Sequence, residues 1–278
     1  MELSELITKI ITGASPCVLG LDMGYSELPA EYMRGRADKG EAVREFNRML
    51  INTVSDIIPA ISVNVGALMP YGIETVADAV SYAKEKGLFA IADAKCVGDP
   101  VSAEGMAEFV FDTLGADCVT VCPYYGMAGL SPFFEKSKKE KKTVFVVAHS
   151  DTGTPQDVQE LVAGVRAVYR AVCEKASRCG EKRVNSMGYS DIGIMVGGVP
   201  NGVLSDIRRA HKKTMMMITG YDGVRTRAHD INGAFDMRGL GGLVYVSRAI
   251  SEPDGRGAYS ERVRKAAEET VHDLKVCF

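Results

Sequence analysis

The chain contains 278 residues, of which 46% are hydrophobic and 25% are charged, and its formal net charge is -3. This composition is typical of a globular protein with enough apolar material for a full core. The slight negative charge excludes a general affinity for nucleic acid or for an anionic membrane surface. No apolar run is long enough to span a bilayer, so no membrane partner is expected either.

The start of the chain, MELSE, lacks the basic region of a secretory signal peptide. The seven cysteines are odd in number, and none forms a CxxC pair. This pattern favours a reduced, cytoplasmic protein over a disulfide framework or a structural zinc site.

Short β-rich runs alternate with helical stretches along the whole sequence. Eight such runs are apolar throughout, as expected for strands buried on both faces of a parallel sheet. They are residues 17–22, 60–65, 88–93, 118–122, 144–148, 192–196, 215–219 and 243–246. This order predicts an α/β fold, a (β/α)8 TIM barrel. A doubly wound open sheet is the competing architecture, and the absence of GxGxxG after the first run disfavours it.

The segments between the runs carry the expected helices, such as residues 42–57, 73–86 and 155–177. Residues 25–39 are polar and mixed, which suggests an extra helix or a lid, and residues 179–190 suggest a surface loop. Without a repeat or a domain linker, residues 1–278 are expected to form a single domain.

The third run ends in two acids and an amine. Asp93 and Lys95 are two apart on a predicted strand, so they point to the same side, and Asp99 follows on a loop. The carboxyl ends of barrel strands carry the chemistry of such enzymes. Two acids flanking one amine can keep it protonated and aim it as a proton donor to a carbanion. The alternative is a strand-end salt bridge that caps the next helix.

Polar groups also follow the first and fifth runs. Asp22 can accept hydrogen bonds from a sugar diol, or it can cap the following segment. Ser150 and Asp151 can bind the edge of a planar base, or they can satisfy their own backbone in a turn. His149 is adjacent to them in sequence, and three consecutive residues cannot be assumed to form a hydrolase triad.

A phosphate site is predicted after the last two strands, where barrels commonly bind this group. Gly223 lies in a glycine-containing loop that would let backbone N–H groups approach an anion. Arg248 is the preferred clamp, because a guanidinium binds phosphate through two parallel hydrogen bonds. Arg225 and Arg227 are weaker candidates, and a surface salt bridge is the alternative role for Arg248.

Taken together, these residues resemble the orotidine 5'-phosphate decarboxylase family, in its longer bacterial branch. The resemblance covers almost the whole chain, including the Ser150 turn with Gln159 after it. Its other pieces are residues 18–22 (VLGLD), 93–95 (DAK), 114–117 (LGAD), 120–126 (TVCPYYG), 130–133 (LSPF) and 247–250 (SRAI).

The resemblance implies a TIM barrel that forms a homodimer and converts orotidine 5'-phosphate to UMP and CO2 without cofactor or metal. Asp93 would crowd the substrate carboxylate, Lys95 would donate the proton, and Asp99 would enter the neighbouring subunit's site. Asp22 would bind the ribose, Ser150 the base and Arg248 the phosphate. The complete expected substrate-binding set is Asp22, Asn64, Ser150, Asp151, Gly223 and Arg248.

Three features depart from the family pattern. The acid–lysine motif D-x-K-x-x-D is one residue longer here, between Lys95 and Asp99. The family's second lysine, at or near the preceding strand, has no counterpart around residues 58–60 or 63–66. Asp151 stands where an asparagine is usual, which would favour a donor edge of the base.

Two functions therefore remain open at this point. The first is a diverged, working decarboxylase of orotidine 5'-phosphate. The second is a paralogue that binds a nucleotide or sugar phosphate but has changed or lost the reaction. A metal site with Asp93 and Asp99 as ligands is a minor third hypothesis.

Overall fold

The computed structural model describes residues 1–13, 15–35 and 37–277. Eight parallel strands form a closed barrel in which each strand pairs with its neighbours in chain order and the last pairs with the first. All eight predicted strands are confirmed. They are β1 Cys17–Leu21, β2 Ala60–Asn64, β3 Phe89–Cys96, β4 Cys118–Val121, β5 Thr143–His149, β6 Ser190–Gly197, β7 Thr214–Thr219 and β8 Gly242–Val246.

Helices occupy the connections and pack on the outside of the barrel. The longer helices are Leu3–Ile11, Lys39–Val54, Ile73–Glu85, Pro100–Glu108, Ser131–Glu140, Val168–Gly180, Asn201–Ala210 and Tyr259–Leu274. Shorter helices are Ala30–Met33, Val65–Leu68, Gly126–Gly129, Ala228–Ile231 and Arg248–Ser251. A π-helical turn, Phe109–Thr113, continues one helix, and 3-10 turns lie at Tyr25–Glu27, Met69–Tyr71, Pro123–Tyr125, Pro155–Asp157, Asn232–Ala234 and Lys275–Cys277. Among the helices of the described residues, none is long and apolar enough to cross a membrane.

Alternate residues of each strand face the barrel interior or the helices, as the strand period requires. Inside, Phe89, Ile91 and Phe145 belong to one apolar cluster with the buried side chains of helix Leu3–Ile11. Phe89 begins β3, so this helix covers the end of the barrel where the strands start. The opposite end, where the strands stop, is left for the polar residues.

Two sequence predictions need correction. The helix expected over residues 155–177 begins only at Val168, and residues 155–167 hold a 3-10 turn and a small hairpin, Val162–Ala163 with Arg166–Ala167. Gly164 turns this hairpin with φ +69°, a conformation that glycine adopts freely. The loop expected over residues 179–190 is shorter, because the helix runs to Gly180 and β6 starts at Ser190.

Residues 25–39 were expected to form either an extra helix or a lid, and the described part of this segment contains an extra helix. A 3-10 turn, Tyr25–Glu27, is followed by helix Ala30–Met33. Tyr32 packs edge-to-face on Phe46, with ring centroids 5.1 Å apart. The described part of this segment is therefore attached to the barrel's outer layer.

We predict that Gly193→Ala destabilises the barrel. Gly193 lies on β6, and a Cβ there would stand 2.5 Å from Cε1 of the buried Phe145 and 2.8 Å from the Met215 carbonyl oxygen. Neither neighbour can move freely, so overpacking should cost about 1–3 kcal/mol of unfolding free energy. Urea unfolding measures this change.

Gly105→Ala is the matched control. Gly105 lies in helix Pro100–Glu108, and a Cβ there meets no described atom within 4 Å. Alanine is the better helix former by about 0.5–1 kcal/mol, so this variant should be slightly more stable. Equal effects of the two substitutions would contradict the packing account.

Candidate active site

Asp93 and Lys95 form an ion pair at the carboxyl end of β3. The Lys95 ammonium lies 2.5 Å from Asp93 Oδ2, and the Asp93 side chain is only 4% exposed, whereas that of Lys95 is 47% exposed. Thr120, at the inner face of β4, donates a hydrogen bond to Asp93 Oδ1 at 2.7 Å. The buried Asp93 carboxylate is thus paired with a cation and accepts a hydrogen bond from a hydroxyl. These two contacts offset the cost of burying its charge.

The backbone at Lys95 is strained. Its φ is +45°, a left-handed conformation that is uncommon for a residue with a long side chain. The pairing between β3 and β4 is irregular here, because Ala92 pairs with Val119 and Cys96 pairs with Val121. The Lys95 N–H donates to Thr120 Oγ1 at 3.0 Å. The irregular strand pairing therefore orients Lys95. Thr120 accepts a hydrogen bond from the Lys95 backbone and donates one to Asp93, the ion-pair partner of Lys95.

Asp99 lies apart from this pair and caps the next helix. It accepts hydrogen bonds from the Val101 and Ser102 N–H groups at 2.9 and 3.2 Å. The Ser102 N–H is the main cause that lowers the pKa of Asp99. Among the ion pairs of the described residues, Lys95 pairs only with Asp93. Within one chain Asp99 has the alternative role, that of helix cap.

An uncharged residue lies beside Asp93 on the neighbouring strand. Asn64 ends β2 and is the pairing partner of Asp93 across the two strands. Its side-chain oxygen accepts a hydrogen bond from the Ala67 N–H at 3.1 Å, which caps helix Val65–Leu68. Across the described residues, Lys95 is the one cation within ion-pair distance of Asp93. The second lysine of the resembled family therefore has no counterpart in an ion pair with Asp93 in the described chain.

A second polar cluster lies at the ends of β1 and β8. Asp22 accepts hydrogen bonds from the Tyr245 hydroxyl at 3.0 Å and from the Ser247 hydroxyl at 2.5 Å. Burial, and then the negative charge of Asp22, raises the pKa of Tyr245 well above its usual value, and Asp93 adds to this effect. Tyr245 therefore lies within electrostatic range of both carboxylates and links the two clusters.

Arg248 begins the helix after β8 and contacts two glutamates. Its guanidinium donates to Glu27 at 2.9 Å and lies 3.5 Å from Glu252, and its side chain is 60% exposed. Glu27 also accepts from the Gly24 N–H at 2.8 Å, which is the main cause that lowers the Glu27 pKa. Arg248 thus forms a surface ion pair with Glu27, which was its alternative role, and its exposed guanidinium shares that contact with any anion bound there.

Gly223 lies in a tight loop after β7. Its φ is +72°, and its N–H donates to the Thr226 carbonyl at 3.1 Å. Asp222 Oδ1 accepts from three successive N–H groups, those of Val224, Arg225 and Thr226, at 2.7–3.0 Å. The Asp222 carboxylate thus fixes the loop, and it accepts hydrogen bonds from N–H groups that could otherwise bind an anion.

Ser150 and Asp151 lie at the end of β5 in different contacts. The Ser150 N–H donates to the Gln159 side-chain oxygen at 2.7 Å, and its hydroxyl contacts Thr152 at 3.0 Å. Asp151 accepts a hydrogen bond from Thr219 on β7. Asp151 also packs closely on Gly220. A Cβ atom added to Gly220 would lie 3.1 Å from Cβ of Asp151. Ser150 thus bonds within its own loop, whereas Asp151 joins that loop to β7.

Two cavities of about 700 Å³ each adjoin these loops. One opens between β6 and β7, and its lining includes Asp151, Asn201 and Arg225. The other lies between the loops after β7 and β8 and the last long helix, with Gly223 and Arg227 in its wall. Both volumes are in the range of small-molecule sites.

No group of three or more His, Cys, Asp or Glu side chains is placed to hold a metal ion within residues 1–13, 15–35 and 37–277. Asp93 and Asp99 are therefore not part of such a group in the described chain.

Several contact residues were not identified from the sequence. They are Thr120, Tyr245, Ser247 and Glu27. The signal for Thr120 and Tyr245 was a polar group at an inward position of an apolar strand, which strand periodicity could have picked out. Glu27 carried no such signal, because its contact with Arg248 joins residues 221 positions apart.

Comparison with known sequences identifies the family. The model of the orotidine 5'-phosphate decarboxylase / HUMPS family matches residues 27–272. An orotidine 5'-phosphate decarboxylase of Clostridium acetobutylicum is 30% identical over 261 residues, which cover 90% of each chain. One from Rhodopirellula baltica is 27% identical over 254 residues, covering 86% of this chain and 84% of the relative.

Solved structures agree at the level of the fold. Leishmania donovani OMP decarboxylase has a TM-score of 0.79 at 23% identity, covering 100% of this chain and 98% of that one. Plasmodium berghei orotidine 5'-monophosphate decarboxylase has a TM-score of 0.82 at 14% identity, covering 99% and 98%. With the family match over most of its length, the chain belongs to the orotidine 5'-phosphate decarboxylase / HUMPS family.

Proposed function

We propose that the protein is an orotidine 5'-phosphate decarboxylase, which converts orotidine 5'-phosphate to UMP and CO2. The observation that carries this proposal is the ion pair of Asp93 and Lys95 at the mouth of a barrel of this family. A half-exposed ammonium oriented by a buried carboxylate is suited to give a proton to a carbon that becomes negative.

The chemical step uses these two side chains in sequence. Asp93, beside the substrate carboxylate, disfavours that group's negative charge, and the bond between C6 and the carboxylate carbon breaks. CO2 leaves, and the electron pair stays on C6 as a carbanion. Lys95 donates a proton to form the C6–H bond, and the neutral amine is reprotonated from solvent. No other group is consumed.

Binding of the nucleotide would spread over the remaining strand ends. In this proposal Asp22 binds the ribose, and the Ser150–Asp151 turn binds the base. Arg248 would take the phosphate after leaving Glu27, with Gly223 in the loop beside it. Asn64, next to Asp93 across the strands, would border the reacting carbon.

We predict that Lys95→Ala lowers kcat by about a hundredfold or more, the usual contribution of a positioned proton donor. Loss of orotidine 5'-phosphate absorbance measures the rate. Lys212→Ala is the control, because Lys212 is an exposed lysine just before β7, at the opposite end of the barrel. It should leave the rate unchanged.

Two results would contradict the proposal. A wild-type chain that binds UMP but does not turn over orotidine 5'-phosphate would establish the paralogue with a lost or changed reaction. A Lys95→Ala variant with full activity would remove Lys95 from the chemistry.

We further propose that the single-domain chain acts as a cytoplasmic homodimer whose sites are completed by the partner's Asp99. Asp99 is fully exposed, and the apolar side chains Val97, Val101, Tyr124 and Tyr125 around this end of β3 and β4 are also exposed. Exposed apolar patches of this kind are typical of interfaces. Seven free thiols support a reducing compartment.

Mixing two inactive variants tests the shared site. Lys95→Ala and Asp99→Ala subunits, unfolded and refolded together, should regain about a quarter of wild-type activity. Random pairing makes about half of the dimers mixed, and each mixed dimer has one intact site of its two. Each variant refolded alone is the control. No recovery on mixing would mean that Asp99 acts within its own chain, and full activity of Asp99→Ala refolded alone would mean that Asp99 has no role.

A further inference from the structure

His149 is a buried residue at the end of β5 with two polar contacts. It is 1% exposed. Its Nδ1 lies 2.6 Å from the Gly197 carbonyl oxygen on β6, and its Nε2 lies 3.1 Å from the Glu160 carboxylate. The Tyr169 ring packs edge-to-face on the imidazole, with centroids 5.0 Å apart.

Both partners of His149 are acceptors, and this limits how its two nitrogens can be hydrogen-bonded. A neutral imidazole has one N–H donor, so it can satisfy only one of them, whereas an imidazolium donates from both nitrogens. The other way to satisfy both contacts is a protonated Glu160. The Glu160 side chain is 40% exposed, so water also reaches its carboxyl group. The two contacts together fit an imidazolium that faces a carboxylate.

The other charged and titratable groups near His149 lie on helix Val168–Gly180 and in the loop after β5. Tyr169 presents its ring, and the Arg170 guanidinium carbon lies 5.6 Å from the centroid of that ring. The Arg170 Nε donates to the Tyr169 hydroxyl at 3.1 Å. Asp151, two residues along the chain, is engaged by Thr219. Glu160 is thus the acid in direct contact with His149.

The contact between His149 and Glu160 is one of two adjacent contacts that join the ends of the loop after β5. Next to it in sequence, the Ser150 N–H donates to the Gln159 side-chain oxygen at 2.7 Å. His149–Ser150 and Gln159–Glu160 therefore meet as two consecutive pairs and join the ends of the loop between them. We call these four residues the loop clasp. The Gln159 carbonyl also accepts from the Tyr169 N–H at 2.9 Å, which ties the clasp to the following helix.

We infer that His149 and Glu160 are positioning residues, and that their charged pair holds the Ser150 loop in the geometry that binds the nucleotide base. This role in binding rests on the proposed function, because it needs Ser150 to contact the substrate. The charge state of His149 does not depend on it. An imidazolium donates to both partners, so this form of His149 closes the clasp.

The first test is the protonation state, measured by NMR on the full chain with 15N-labelled histidine rings. The sequence has four histidines, and His149→Asn identifies the signal. At neutral pH both His149 nitrogens should carry protons in the wild type. In Glu160→Gln the amide can donate to Nε2, so the ring should be neutral. A neutral wild-type ring, or the same state in both proteins, would overturn the inference whether or not the chain has activity.

The second test is the effect on substrate binding. Glu160→Ala should raise KM for orotidine 5'-phosphate about tenfold and change kcat less than about twofold, because the clasp positions a binding group. Glu160→Gln should keep KM near the wild-type value, because the amide can still donate to Nε2. Glu181→Gln, an exposed acid at the end of helix Val168–Gly180, should behave as the wild type.

Calorimetry with UMP separates this inference from the proposed function. If the wild type shows no turnover but Glu160→Ala weakens UMP binding by the same factor, the clasp stands and the decarboxylase proposal fails. An unchanged affinity and KM in Glu160→Ala, or a fall in kcat alone, would overturn the positioning role.

Discussion

The site depends on keeping one carboxylate charged inside the barrel mouth. Asp93 is almost completely buried, and burial of an isolated charge is costly unless it is paired and hydrogen-bonded. Lys95 provides the cation and Thr120 the hydroxyl. The left-handed backbone at Lys95 costs on the order of 1–3 kcal/mol, and the hydrogen bond from its N–H to Thr120 helps to hold it. Such strain at a strand end is typical of a functional position.

A second set of polar contacts lies near this pair, at the ends of β1 and β8. Tyr245 lies within range of Asp93 and donates to Asp22, which also holds Ser247. The next residue, Arg248, is held by Glu27. Lys95 and Arg248 are thus each paired with an acid of the chain, Asp93 and Glu27. In the proposed function, the nucleotide phosphate would bind Arg248, and the pair of Asp93 and Lys95 would carry out the chemistry.

The sequence predicted the barrel well because each strand is a continuous apolar run, a signal that is local. Because the end of each apolar run marks the end of a strand, the sequence also predicted that Asp22, Asp93 and Arg248 lie at strand ends. It failed for residues 155–167, where a hairpin turned by Gly164 replaced the expected helix. It also could not give partners such as Thr120 or Glu27, because those contacts depend on strand register and on residues distant in the chain. For Asp99, the helix-cap alternative was available from the sequence and is the contact that forms within one chain.

The most direct test of the account is a crystal structure of the protein with a UMP analogue substituted at C6. The account predicts the Lys95 ammonium within hydrogen-bonding distance of the C6 substituent, and the Arg248 guanidinium on the 5'-phosphate with Glu27 released. A ligand bound elsewhere, or an Arg248 that stays on Glu27 while Lys95 points away from C6, would contradict it.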